Sequence, residues 1–124
     1  MMWTIEERRQ RRSSEPNTAL RYQLEHVRAH GRFEALVLAD DAGLVLARAG
    51  ERGICDELGA IAPLMSRSPL GMRLPPLLRG GEVAVRPIEL NGQDLYIACI
   101  GGNVARDAHL NASERGVQRI LASN

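Results

Sequence analysis

Apolar and polar residues alternate along the chain with two periods, and the switches between them mark out its elements. Leu20, Leu24 and Val27 recur at i, i+4 and i+7. That stripe predicts a helix from about Asn17, a suitable cap, to His30, with Gly31 as its stop. The next run, Phe33 to Ala39, is apolar at both alternating sets: Phe33, Val37 and Ala39 on one face, Leu36 and Leu38 on the other. A strand of that kind is covered on both sides. Asp40-Asp41-Ala42-Gly43 reads as a turn in which Gly43 takes positive φ, and Leu44 to Ala49 as the return strand of a hairpin.

A second helix is predicted over about Glu51 to Ser66, with Ile54, Leu58, Ile61 and Met65 as its stripe. Gly59, Ala60 and Ala62 are small and admit a close neighbour, and Pro63 is expected to kink the helix or end its regular part. Ser66 to Gly81 contains Arg67, Arg73 and Arg79 and no acid, while Leu70, Met72, Leu74, Leu77 and Leu78 imply that it packs. Pro75-Pro76 argues against an interior strand there. Glu82 to Leu90 reads as a strand that Pro87 confines to an edge or a bulge. Asn91-Gly92 is a type I′ hairpin signal, and Asp94 to Ile100, apolar at both alternating sets, is a central strand. The last helix is predicted over Ala112 to Ala122, with Asn111 and Glu114 in a capping-box pattern.

These elements give one domain of the α/β (α+β) class. Its order is α-β-β-α-(β)-β-β-α, with a mainly antiparallel sheet of four to five strands and three helices. Residues 1–15 read as a flexible polar tail, in which Thr4 and Glu7 offer a short capping box, and residues 16–124 as the domain. Three helices cover only part of the two apolar sheet faces, so a partner or a second copy is expected to bury the remainder.

Composition narrows the chemistry. At 124 residues the chain holds a single core. With 44% apolar but only 3% aromatic residues, that core must be aliphatic. The net charge of +1 argues against nucleic acid as a partner. All sixteen basic residues are arginine, which excludes Schiff-base and Walker-type lysines. No stretch is apolar enough to span a bilayer, the N-terminus lacks a signal-peptide core, and Cys55 and Cys99 read as free buried thiols. A cytoplasmic protein is expected.

No motif assembles a catalytic, cofactor or metal site. His26 and His30 have metal-compatible i, i+4 spacing without a third ligand, and read as a surface pair. Gly80-Gly81 and Gly101-Gly102 lack phosphate-loop patterns, and no nucleophile motif is present. One pattern remains. Residues 34–57 carry six acids (Glu34, Asp40, Asp41, Glu51, Asp56, Glu57) against Arg48 and Arg52, a net charge of −4. Residues 66–88 carry four arginines against Glu82, a net charge of +3. Such asymmetry can orient a dimer or a charged partner.

The element order, the run FEALVLADDAGLVLARAG with its D-x-x-G turn, the small-residue helix after it and Val85-Arg86-Pro87-Ile88 together resemble the Roadblock / dynein light chain family, over about Asn17 to Leu121. The resemblance implies a Roadblock/profilin-like α/β domain that dimerises by joining sheet edges and packing central helices. It further implies a non-enzymatic scaffold or regulator, with a Ras-like small GTPase as partner and no cofactor. The interface residues expected on this basis are Ile54, Cys55, Leu58, Gly59 and Ala62 on the second helix, and Val83, Val85, Arg86 and Ile88 on the edge strand. The family's usual five strands exceed the four found here, and the missing one falls where Pro75-Pro76 stands. The alternative function is a small-molecule sensory module of profilin-, longin- or PAS-like architecture.

Overall fold

A computed structural model of the chain describes residues 5–68 and 73–122, with side chains in the first helix from Thr18 onward. Its elements are α1 (Ile5–Gly31), β1 (Phe33–Asp40), β2 (Val45–Gly50), α2 (Arg52–Arg67), a 3-10 turn (Pro76–Leu78), β3 (Val83–Leu90), β4 (Gln93–Gly101) and α3 (Arg106–Ala122). The four strands form one antiparallel sheet in the order β2-β1-β4-β3. As expected, β4 is central, and β3, which carries Pro87, is an edge.

The sheet is covered on both faces. Leu36 and Leu38 of β1, Leu95, Ile97 and Cys99 of β4 and Ile88 of β3 pack with Leu20, Leu24 and Val27 of α1 and Leu110 and Val117 of α3. On the opposite face, Ala35 and Val37 of β1 and Tyr96, Ala98 and Ile100 of β4 pack with Cys55, Leu58, Ile61 and Ala62 of α2 and with Leu78 of the 3-10 turn. The period-2 alternation of β1 and β4 thus supplies two cores at once. Phe33 departs from the expected alternation. A register shift between Phe33 and Ala35 in the pairing with β4 carries its ring to the α1/α3 side, away from Val37.

Both faces are apolar, but they differ in size. Alanines at 35, 39 and 98 face α2, and that helix meets them with Gly59 and Ala62. The closest approach is at the hairpin turn. Gly43 has φ +84, and a Cβ there would lie 3.1 Å from the Ala60 Cα. A Cβ on Gly59 would lie 2.4 Å from Val45 Cγ2 and 3.3 Å from the Gly43 carbonyl oxygen. Asp40 builds the turn: its Oδ1 accepts from the amides of Ala42 and Leu44, each at 2.9 Å. Glu51 caps α2 by accepting from the amides of Gly53 and Ile54, each at 3.0 Å. These two bonds hold its carboxyl below the usual value. Pro63 lies inside α2 and is buried; the helix continues past it to Arg67.

Two helices begin earlier than the hydrophobic stripe indicates. The α1 backbone starts at Ile5 rather than near Asn17. Met1 to Thr4, including the Thr4 of the expected capping box, lie outside the described residues, as do Leu70 and Met72. α3 starts at Arg106, six residues before Ala112, because Asn103 organises its entry. The Asn103 side chain accepts from the Ala105 amide at 3.0 Å, and its carbonyl accepts from the Arg106 amide at 3.1 Å. Asn111, the expected cap, is therefore inside the helix. Among the described residues the sheet has four strands, and the diproline segment forms the 3-10 turn instead of a fifth. No helix among them is long and apolar enough to cross a membrane.

Gly59 gives a direct test of this packing. Replacing it with Ala gains up to about 1 kcal/mol of helix propensity but drives a methyl into Val45 and the turn, an overpacking cost of about 1–3 kcal/mol. Gly59→Ala is expected to lower the urea midpoint with an unchanged m-value. A raised midpoint would mean that the turn yields freely.

Candidate protein interface

The sheet has two edge strands, β2 and β3, and β3 is the longer of them. One side of the strand pairs with β4 from Val83 opposite Ile100 to Leu90 opposite Gln93. Its other side has no strand neighbour among the described residues. Such an edge is a template for another chain. Val83 and Val85 lie on the α2 face and are half-buried against that core. Arg86 and Ile88 lie on the other face. Ile88 is buried in the α1/α3 core. Arg86 donates to Asn111 Oδ1 and stands 3.9 Å from Glu114 Oε2, tying the edge strand to α3.

The residues of α2 sort differently. Cys55, Leu58, Gly59 and Ala62 are buried within the chain, and Ile54 is half-buried. The small residues therefore serve the contact with the chain's own hairpin and sheet. The outward row of the helix is Asp56, Ala60 and Leu64. Leu64, off the Ile54-to-Met65 stripe, is 52% exposed, and Leu77 of the 3-10 turn is equally so. Leu77 sits against the first turn of α2, where a Cβ on Gly53 would lie 3.2 Å from its Cδ1. Two exposed leucines thus mark the two ends of α2, on the same sheet face as Val83 and Val85. The one sequence signal for Leu64 is that it falls outside the helical stripe.

Most of the acidic segment is engaged inside the chain. Asp56 pairs with Arg48 at 3.3 Å and with Arg52 at 4.0 Å. Glu57 Oε2 accepts from the Leu77 amide at 3.1 Å, fastening the 3-10 turn to α2. Asp41 Oδ1 accepts from Arg67 and, at 3.0 Å, from the Tyr96 hydroxyl. Burial, followed by that hydrogen bond to a carboxylate, pushes the Tyr96 phenol up. With Asp40 in the turn and Glu51 in the cap, five of the six acids have partners within the chain. The acids of that segment are therefore mostly held by nearby amides and by Arg48 and Arg52 of their own segment, and among the described residues Asp41 with Arg67 is the ion pair that joins it to the basic one.

The two thiols are free and stand in opposite cores, Cys55 with α2 and Cys99 with α1 and α3. Burial pushes both up, Cys99 to about 11. No cluster of three or more His, Cys, Asp or Glu among the described residues has metal-binding geometry.

Three helices cover the two faces of a four-stranded antiparallel sheet whose edges are β2 and β3, a small α/β fold of the layout expected from the sequence. No protein-family model matches the sequence, and no curated protein does. In fold the chain is similar to solved structures of MglB. Myxococcus xanthus MglB is 11% identical over 99% of this chain and 95% of its own, with a TM-score of 0.57. MglB with a tetrameric arrangement is 16% identical over 87% and 91%, with a TM-score of 0.61. The gliding protein MglB of Thermus thermophilus is 16% identical over 88% and 93%, with a TM-score of 0.58.

The thiols yield a pH prediction. Between 9.0 and about 11 the unfolded chain gives up the Cys99 proton while the folded chain keeps it. The folded state then binds more protons, so stability falls as pH rises across that window. Denaturant midpoints measured through the window are expected to decline less steeply for Cys99→Ala than for the unaltered chain. Equal slopes would contradict the assignment.

Proposed function

We propose that the chain is a non-enzymatic homodimeric scaffold or regulator that binds a Ras-like small GTPase or another signalling partner. The observation that carries this reading is the open β3 edge. A strand from Val83 to Leu90 with unfilled backbone donors and acceptors is completed by a second copy of itself, which extends the sheet. Val83 and Val85 would lie at that junction, and the exposed Leu64 and Leu77 of the same face would be covered with them. The likeness to MglB, one of whose structures has a tetrameric arrangement, supports the same reading. Cys55, Leu58, Gly59 and Ala62 act in it indirectly, by holding α2 against the sheet so that its outer row is presented at a fixed height. A GTPase would be bound as a protein ligand. No arginine here is assigned the task of completing a GTPase active site in trans.

Light scattering tests the assembly. The unaltered chain is expected at twice its chain mass at micromolar concentration. Leu64→Glu with Leu77→Glu, at two exposed positions whose replacement leaves the cores intact, shifts it toward monomer. A monomer in the unaltered chain would overturn the reading. A GTP-analogue-loaded Ras-like protein is then expected to co-elute with the dimer, and the absence of co-elution with either nucleotide state would remove the GTPase from the proposal.

A further inference from the structure

All three histidines of the chain converge on one cleft, on the side of the sheet opposite α2. α1 and α3 lie side by side and antiparallel. Gln23 packs on Gly116, where a Cβ would stand 2.4 Å from its Nε2, and at the other end the Gly31 carbonyl accepts from the Asn103 amide at 2.8 Å. Between the helices is a cleft of about 400 Å³, lined by Gln23, His26 and His30 from α1 and His109, Arg115 and Arg119 from α3. No acid lines it. Of the neighbouring acids, Glu114 pairs with Arg86 at 3.9 Å, and Glu25 lines an adjoining depression that shares Gln23 and His26 with the cleft.

The imidazoles are positioned. The His26 and His30 rings lie against each other, tilted by 37°, with centroids 4.1 Å apart. His30 Nδ1 lies 2.8 Å from the His26 carbonyl oxygen, which only accepts, so Nδ1 carries the proton and Nε2 is left for another partner. His109 is braced edge-on by the Phe33 ring, with centroids 6.4 Å apart. Arg115 and Arg119 are one turn apart on α3 and both exposed. Two guanidiniums and three imidazoles around a cleft without a carboxylate make a site for a dianion.

From this arrangement the geometry points to a binding site for a phosphate group between α1 and α3, held by Arg115 and Arg119 in a cleft whose walls are the three histidines. The site is independent of the dimer reading, because it uses the opposite face of the sheet. The ligand class is a phosphate monoester or pyrophosphate, carried either by a soluble molecule or by a phospholipid headgroup.

The test is an amide NMR titration of the full chain with inorganic pyrophosphate at constant ionic strength, with chloride as the control. Saturable shifts confined to residues 23–31 and 105–119 are expected. Arg115→Gln with Arg119→Gln should weaken the apparent affinity by about tenfold or more, while Arg79→Gln, an exposed arginine outside the cleft, leaves it unchanged. Co-sedimentation with phosphatidic acid vesicles, compared with phosphatidylcholine vesicles, separates the sources. Sedimentation lost in the double variant assigns the phosphate to a lipid, and a saturable titration without sedimentation assigns it to a soluble ligand. The proposal is overturned if neither pyrophosphate nor phosphatidic acid binds, or if Arg79→Gln costs as much as the double variant.

Discussion

The rest of the structure depends on burying both faces of the β1–β4 pair. Each of these strands contributes an apolar set to each core, so neither core forms without the other. Large side chains, Leu36, Leu38, Leu95 and Ile97, fill the space under α1 and α3. On the other face, alanines at 35 and 98 bring α2 close. Burying a square ångström of apolar surface gives roughly 25 cal/mol, and the central pair has apolar residues buried on both of its faces. The hairpin turn then becomes a structural contact in its own right, because Gly43 and Gly59 meet without side chains between them.

That constraint also sets where the surface remains unfinished. β1 and β4 are satisfied on both faces and both edges, so unfilled pairing capacity is displaced to β2 and β3. Pro87 is compatible with β3 because an edge strand has donors to spare. The diproline segment, folded as a 3-10 turn and fastened to α2 through Glu57, does not pair with that edge. The edge role therefore passes to Val83–Leu90. In the proposed dimer, a partner would find backbone hydrogen bonds on the strand and side-chain area on the outer row of α2.

Much of this was legible in the sequence because alternation and turn chemistry are local. The double alternation of β1 and β4, the Asp40–Gly43 turn, the Asn91-Gly92 hairpin and the edge position of the Pro87 strand all follow from residues within a few positions of one another. What was not legible depends on partners distant along the chain. The polar start of α1 has no stripe to announce it. Asn103 outcompetes the better-looking Asn111 pattern as the entry to α3 through its bonds to the next residues and to α1. The small Gly59 and Ala62 admitted a close neighbour, and that neighbour is the chain's own hairpin and sheet. The acidic run looked free because Arg67 and Tyr96, which hold Asp41, lie 26 and 55 residues away. His109 could not be joined to His26 and His30 until α1 and α3 were placed side by side.

The most direct test of the central claim, that β3 is the joining edge, is hydrogen exchange at the β3 amides that point away from β4. The account predicts that these amides are protected at high protein concentration and lose protection on dilution, while β4 stays protected throughout. Exchange of the outward β3 amides at the rate of an open edge, at every concentration, would contradict it.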